Sequence, residues 1–203
     1  MARVISKAKT GRTKKPVISC VAASRIGSVI ASMSQPTGTA RFAAGKSLVI
    51  TAEKQPDRIY PHFGAIASLL HSECKIVRWN AMRILALLSA VDTQQKLTNI
   101  LETYFAFIPG PNMITAANAI RALGIVAQNR PELLDRIIPA ILQVENAAYD
   151  TSECRNVAIG HALDVLRELR PEVNRRPEVE GFIRRQQSNS RAAVARRAKA
   201  MLA

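Results

Sequence analysis

Basic side chains recur through this 203-residue chain at a nearly constant interval: Lys46, Arg83, Arg121, His161 and Arg197 are spaced by 37, 38, 40 and 36 residues. Asn80 and Asn118 stand three residues before Arg83 and Arg121, while Phe42 and Trp79 stand four before Lys46 and Arg83. On a helix, residues three or four apart share a face. The pattern therefore sets aromatic beside cation and carboxamide beside guanidinium. Asn and Arg suit the polar backbone of an extended peptide, or the phosphates of nucleic acid. Lys46, Trp79, Asn80, Arg83, Asn118, Arg121 and His161 are thus the candidate partner-binding residues. A competing reading makes the same stripe an internal ladder in which each Arg or Asn bonds the next repeat and Trp79 is wedged between helices, because half-buried polar groups are usually satisfied internally. Glu53 and Glu168, seven residues beyond Lys46 and His161, keep the stripe from being purely cationic.

Other chemistries lack their residues. Gly45-Lys46-Ser47 resembles the end of a phosphate loop, but the motif needs a glycine where Ala40 stands and a strand before it, whereas Arg41 to Ile50 reads as helix. His62, His71 and His161 form no HExxH or HxH pair, and no GxSxG elbow occurs. Cys20, Cys74 and Cys154 are odd in number and widely spaced, which fits small buried hydrophobes of a reducing compartment better than a metal site or disulfide framework. No catalytic residue, metal or cofactor is expected, and the chain reads as a non-enzyme.

Charge is unevenly spread. Residues 1–55 hold ten Lys and Arg against one acid, residues 56–170 hold eleven against eleven, and residues 171–203 hold eight against three. The neutral middle and basic ends define a second candidate set for acidic surfaces or phosphates: Lys14, Lys15, Arg184, Arg185, Arg191, Arg196 and Arg197. No interleaved aromatic ladder supports stacking on single strands. The acid-poor first residues share the composition of a transit peptide, but Gly45 to Glu53 already fits the repeat, so residues 1–18 alone are left as a basic tail. Pro16 to Met33, the most apolar stretch, carries Arg25 and several serines and is too polar to span a bilayer. No membrane association and a cytoplasmic location are expected.

The elements that carry the stripe follow from the frame around each basic residue. Arg41-Phe-Ala-Ala-Gly-Lys46-Ser-Leu48, Arg78-Trp-Asn-Ala-Met-Arg83-Ile-Leu85, Ala116-Ala-Asn-Ala-Ile-Arg121-Ala-Leu123 and Asn156-Val-Ala-Ile-Gly-His161-Ala-Leu163 share a small-small-x-basic-x-Leu frame. A fainter copy, Ala195-Arg-Arg197-Ala-Lys199, closes the chain. Each interval accommodates two helices of about 15 residues with their turns. Pro56-Asp57 should open a helix over Ile59 to Leu70, Asp92 to Gln95 resembles a capping box, and Pro131-Glu132 should open Leu133 to Leu142. Ser72-Glu73-Cys74 and Thr151 to Cys154 look like N-caps of second helices. Second helices are expected near 36–54, 73–90, 112–129, 152–170 and 189–202. Ile84, Leu87, Ala122 and Ile125 make these helices apolar nearly all round, which requires cover on several sides.

On these residues the chain, over roughly 19–203, resembles the HEAT and armadillo-like repeat families, best at Val77 to Leu85 and Asn118 to Gly124. The resemblance implies an all-α, right-handed α-α superhelix of about four to five helical hairpins whose second helices line the concave face. With the recurring Asn/Arg stripe on that face, the expected function is a protein-interaction scaffold holding an acidic or extended segment of a partner protein there; sequence-nonspecific nucleic-acid binding through the basic termini is the alternative. Some HEAT-like proteins are DNA glycosylases, but one tryptophan and scattered acids do not furnish the aromatic walls and acid of such a site. The 34-residue period of tetratricopeptide repeats is absent.

Overall fold

The computed structural model describes residues 19–169 and 171–202, and among them it holds helices and turns and no strand. The α-helices are α1 (Ile26–Met33), α2 (Ala40–Lys54), α3 (Pro56–Ile59), α4 (Phe63–Ser68), α5 (Lys75–Leu88), α6 (Leu101–Phe107), α7 (Met113–Asn129), α8 (Leu134–Leu142), α9 (Ser152–Glu168), α10 (Pro171–Asn174), α11 (Pro177–Gln186) and α12 (Ala192–Met201). The expected tail, residues 1–18, lies outside the described residues.

The longer second helices stack in one row, α2 on α5, α5 on α7, α7 on α9 and α9 on α12, with α1 against α2 at the start. A parallel layer of shorter first helices runs behind them, α6 meeting α8 and α8 meeting α11. This is an all-α repeat superhelix. The internal second helices α5, α7 and α9 are packed on three sides, by their own hairpin partner and by two neighbours in the row. The consequence is plain on α7, where Thr115, Ala116, Ala117, Ala119, Ile120, Ala122, Leu123, Gly124, Val126 and Ala127 are all buried. Apart from Met113 and Asn129 at its two ends, what escapes is Ile114, Asn118, Arg121, Ile125 and Gln128, spaced four and three residues apart on one outward stripe.

Proline and side-chain caps punctuate the units. Pro56, Pro131 and Pro177 each sit in the first turn of a helix, where the missing N–H has no intrahelical partner to lose. Asn112 accepts from Thr115 N at 2.9 Å and Thr151 from Cys154 N at 3.1 Å, capping α7 and α9.

Several local expectations are corrected. The run from Ile59 to Leu70 is not one helix: it breaks into α3, a 3-10 turn at Tyr60–His62, α4 and a further 3-10 turn at Leu69–His71. Pro61 lies in the first of these turns, where the chain tightens instead of continuing the α-helical ladder. Asp92 does not form a capping box, because Gln95 turns left-handed at φ 53° and shifts the carboxylate onto Lys96 N and Leu97 N, both at 2.9 Å. Ser72 bonds Cys74 N at 3.3 Å without capping α5, whose N-cap is Cys74 itself with no side-chain bond.

Candidate functional site

The stripe is built by close approach of second helices. A Cβ on Gly45 would lie 2.4 Å from Asn80 Nδ2, one on Gly124 would lie 2.8 Å from a Val165 methyl, and one on Gly160 would lie 3.0 Å from Arg197 Nη1. Glycine therefore lets α2 approach α5, α7 approach α9, and α9 approach α12 closely enough for polar tips to meet across the seams.

Those tips meet as follows. Arg83 donates to Glu53 at 2.6 Å, joining α5 to α2. Trp79 Nε1 donates to Thr115 Oγ1 at 3.0 Å, joining α5 to α7. An Arg121 Nη2 lies 3.1 and 3.2 Å from the two ring nitrogens of His161, joining α7 to α9. Arg197 pairs with Asp164 at 3.1 Å and donates to Gly160 O at 2.8 Å, joining α12 to α9. Much of the stripe is thus the internal ladder that the sequence left as its competing reading. Asn118 turns inward on its own helix, donating to Ile114 O at 2.8 Å. Lys46, exposed, has no polar partner among the described residues, and neither does half-buried Asn80.

The aromatic–cation pairs expected four residues apart do not form. Arg41, not Lys46, lies over Phe42 at 5.0 Å, and Arg83 leaves Trp79 for Glu53. A carboxylate on the neighbouring helix attracts an exposed guanidinium more strongly than an indole already committed to Thr115.

Two residues missed in sequence complete the stripe. Ile76 and Ile114, 44% and 49% accessible, are the exposed large hydrophobic side chains among the described residues. Each lies seven residues before the basic position of its repeat, so Ile76-Asn80-Arg83 on α5 is matched by Ile114-Asn118-Arg121 on α7. The signal was available as a repeat-equivalent pair, but isoleucine at a helix start reads as core until the neighbours are known.

The C-terminal arginines are mostly spoken for. Arg185 makes bonds of 2.8 to 3.1 Å to Glu145, Arg191 pairs with Glu153, Arg197 with Asp164, and Arg184 with Glu180 on its own helix. Arg196 is exposed and has no polar partner among the described residues. Lys14 and Lys15 lie outside the described residues. The acid precedes the arginine in every one of these inter-repeat pairs, and also in Glu53–Arg83, Glu102–Arg136 and Asp135–Arg176. In these pairs the earlier unit supplies the acid and the later unit the arginine.

Burial pushes the His161 imidazole below its ordinary pKa; Arg121 adds to this, Asp164 opposes it and Arg197 adds again. Among the described residues no group of His, Cys, Asp and Glu is arranged to hold a metal, and no helix is long and apolar enough to cross a membrane.

The stacked hairpins and the seam of polar tips define an armadillo/HEAT-like helical repeat fold. A designed armadillo repeat protein in complex with the peptide (KR)4 is similar over 88% of this chain and 81% of its own, with a TM-score of 0.62 and 14% identity. A computationally designed armadillo repeat protein for modular peptide recognition is similar over the same shares, at TM-score 0.60 and 17% identity, and a further designed armadillo repeat protein at 0.59 and 16%. No protein-family model and no curated protein matches the sequence.

Proposed function

We propose that this chain is a non-catalytic interaction scaffold that holds an extended, acidic segment of a partner protein along the groove face of its second helices. One observation carries the reading. Ile76 and Ile114 stay exposed at equivalent positions of adjacent helices, each in line with an Asn and an Arg, so two successive repeats offer the same apolar contact, carboxamide and cation. Repeated units of one chemistry suit a ligand that is itself linear. The solved structure that carries (KR)4 is similar in fold, and its peptide is cationic; here Lys46, without a polar partner among the described residues, and Arg121, which meets a ring and no carboxylate, place cations on the face, so the complementary segment is acidic.

A selection from a random peptide library on the immobilised protein tests this, repeated on a variant carrying I76S, I114S and R83A. Acidic sequences with interspersed apolar residues should enrich on the natural chain and be lost on the variant. Equal enrichment on both, or none on either, removes the reading.

Nucleic-acid binding through the basic termini is the second reading, and exposed Arg196 and Lys199 favour it. Affinity for an oligonucleotide over a salt series decides it: absence of binding at low salt ends it.

A further inference from the structure

Of the groove-face cations with a partner, Arg121 differs in what it meets. Arg83 has Glu53 and Arg197 has Asp164, but Arg121 faces the His161 ring. One Nη2 atom 3.1 and 3.2 Å from both ring nitrogens cannot lie along both of their diverging in-plane lone pairs. The guanidinium is held without being neutralised, and imidazole hydrogen-bonding capacity remains. Asp164, one turn beyond His161, is already shared between Arg197 at 3.1 Å and Arg167 at 3.4 Å. Gly124 lies one turn beyond Arg121 and Val165 one turn beyond His161, and their contact sets the helix spacing that brings the two side chains together. A groove of about 410 Å³ opens there, between α7 and α9.

We propose that Arg121 and His161 form a carboxylate-binding subsite that takes an Asp or Glu side chain of the bound segment, with affinity that rises on acidification. The proposal rests on the groove reading above and names what one position of that groove recognises. A carboxylate bridging the two would accept from the guanidinium and from an imidazole N–H, the charge-assisted geometry that Arg121 lacks in the free protein. It would also favour the imidazolium, offsetting the burial and the facing cations Arg121 of α7 and Arg197 of α12 that hold the ring neutral; Asp164, on its own helix, acts in the same direction as the ligand. Binding therefore takes up a proton and strengthens as pH falls through the histidine range. Asp164 is occupied by Arg197 and Arg167, which leaves Glu168 to disfavour dense negative charge at this one position, so it suits a single carboxylate of the segment better than a phosphate chain.

The test titrates the full chain with glutarate, following the His161 imidazole C–H by NMR, assigned from its loss in H161Q. Glutarate should raise the apparent pKa of His161 in a saturable way that chloride at equal ionic strength does not reproduce, and R121Q should abolish the effect. A labelled (Glu-Ala)4 peptide should bind about threefold or more tightly at about pH 5.5 than at about pH 7.5, with the dependence lost in H161Q. If glutarate acts no differently from chloride, or acts equally on R121Q, the subsite is wrong even where the peptide still binds the groove. If glutarate shifts His161 while no peptide of any charge binds, the subsite stands and the groove reading fails. A single-stranded oligonucleotide that shifts His161 more than the acidic peptide overturns the carboxylate assignment. Melting curves of both variants matching the natural chain exclude unfolding as the cause.

Discussion

Trp79 and Thr115, 36 residues apart in sequence, are joined by a hydrogen bond of 3.0 Å that crosses the seam between α5 and α7. Thr115 Oγ1 passes its own proton to Asn112 Oδ1 at 3.0 Å, and the same oxygen of Asn112 caps α7 through Thr115 N. Inter-repeat packing and helix initiation are therefore coupled through one hydroxyl. The tryptophan is a structural member of the groove wall as well as a candidate contact for a ligand.

W79F should cost about 1 kcal/mol, the net worth of one hydrogen bond with the ring volume largely kept. For a chain of this size that is a melting temperature about 2–4 °C lower. In a T115V background the same substitution should cost less, because the acceptor is gone; additive losses would show that the bond contributes nothing.

Gly124 is expected to resist alanine. Alanine gains helix propensity of up to about 1 kcal/mol, but its methyl would meet Val165 at 2.8 Å inside a packed seam, which costs about 1–3 kcal/mol. G124A should lower the denaturation midpoint, and V165A should suppress that loss. A double variant less stable than V165A alone would refute the steric account.

Asp92 is the polar hub behind the stripe. Its carboxylate accepts from Tyr60 Oη at 2.6 Å and from Lys96 N and Leu97 N, and lies 3.6 Å from Arg130 Nη1, so it ties the unit of α5 to both ends of the unit of α7. Asn in its place could accept on one oxygen only and would turn an amide donor toward a backbone N–H. D92N should cost about 3 kcal/mol, against about 1 kcal/mol for Y60F, measured by urea denaturation.

The arginines of the last unit can be released by removing their acids. E145Q with E153Q should raise affinity for an oligonucleotide at low salt and steepen the salt dependence by up to about 1.8 in log–log slope, if both freed guanidinium groups reach phosphates. An unchanged slope would mean that nucleic acid does not use this end.

Alkaline stability should report Tyr149, whose hydroxyl donates to Ile108 O at 2.6 Å and whose pKa is pushed up to about 12 by burial. The folded state holds this proton more tightly than the unfolded chain, so the contribution is complete below about pH 10 and is lost as pH rises toward 12. Y149F should unfold less steeply with alkali over that window; a parallel decline in both proteins would contradict the assignment.

Periodicity alone determined that helices recur every 36 to 40 residues around Lys46, Arg83, Arg121, His161 and Arg197, because a small residue every turn or so is what closely stacked helices require. It also determined that Arg83 and Arg121 point away from the core, since most of the remaining circumference of their helices is apolar. What each of them touches was decided only by the tertiary structure. Glu53 reaches Arg83 and Glu145 reaches Arg185 across 30 and 40 residues, and nothing local marks such partners. The positive excess of the last block was legible as a number, but not its meaning: Arg185, Arg191 and Arg197 reach back to Glu145, Glu153 and Asp164 of the preceding unit, so part of that charge is paired across the seam. Ile76 and Ile114 went unread for the same reason, because whether an isoleucine is covered depends on a helix more than thirty residues away.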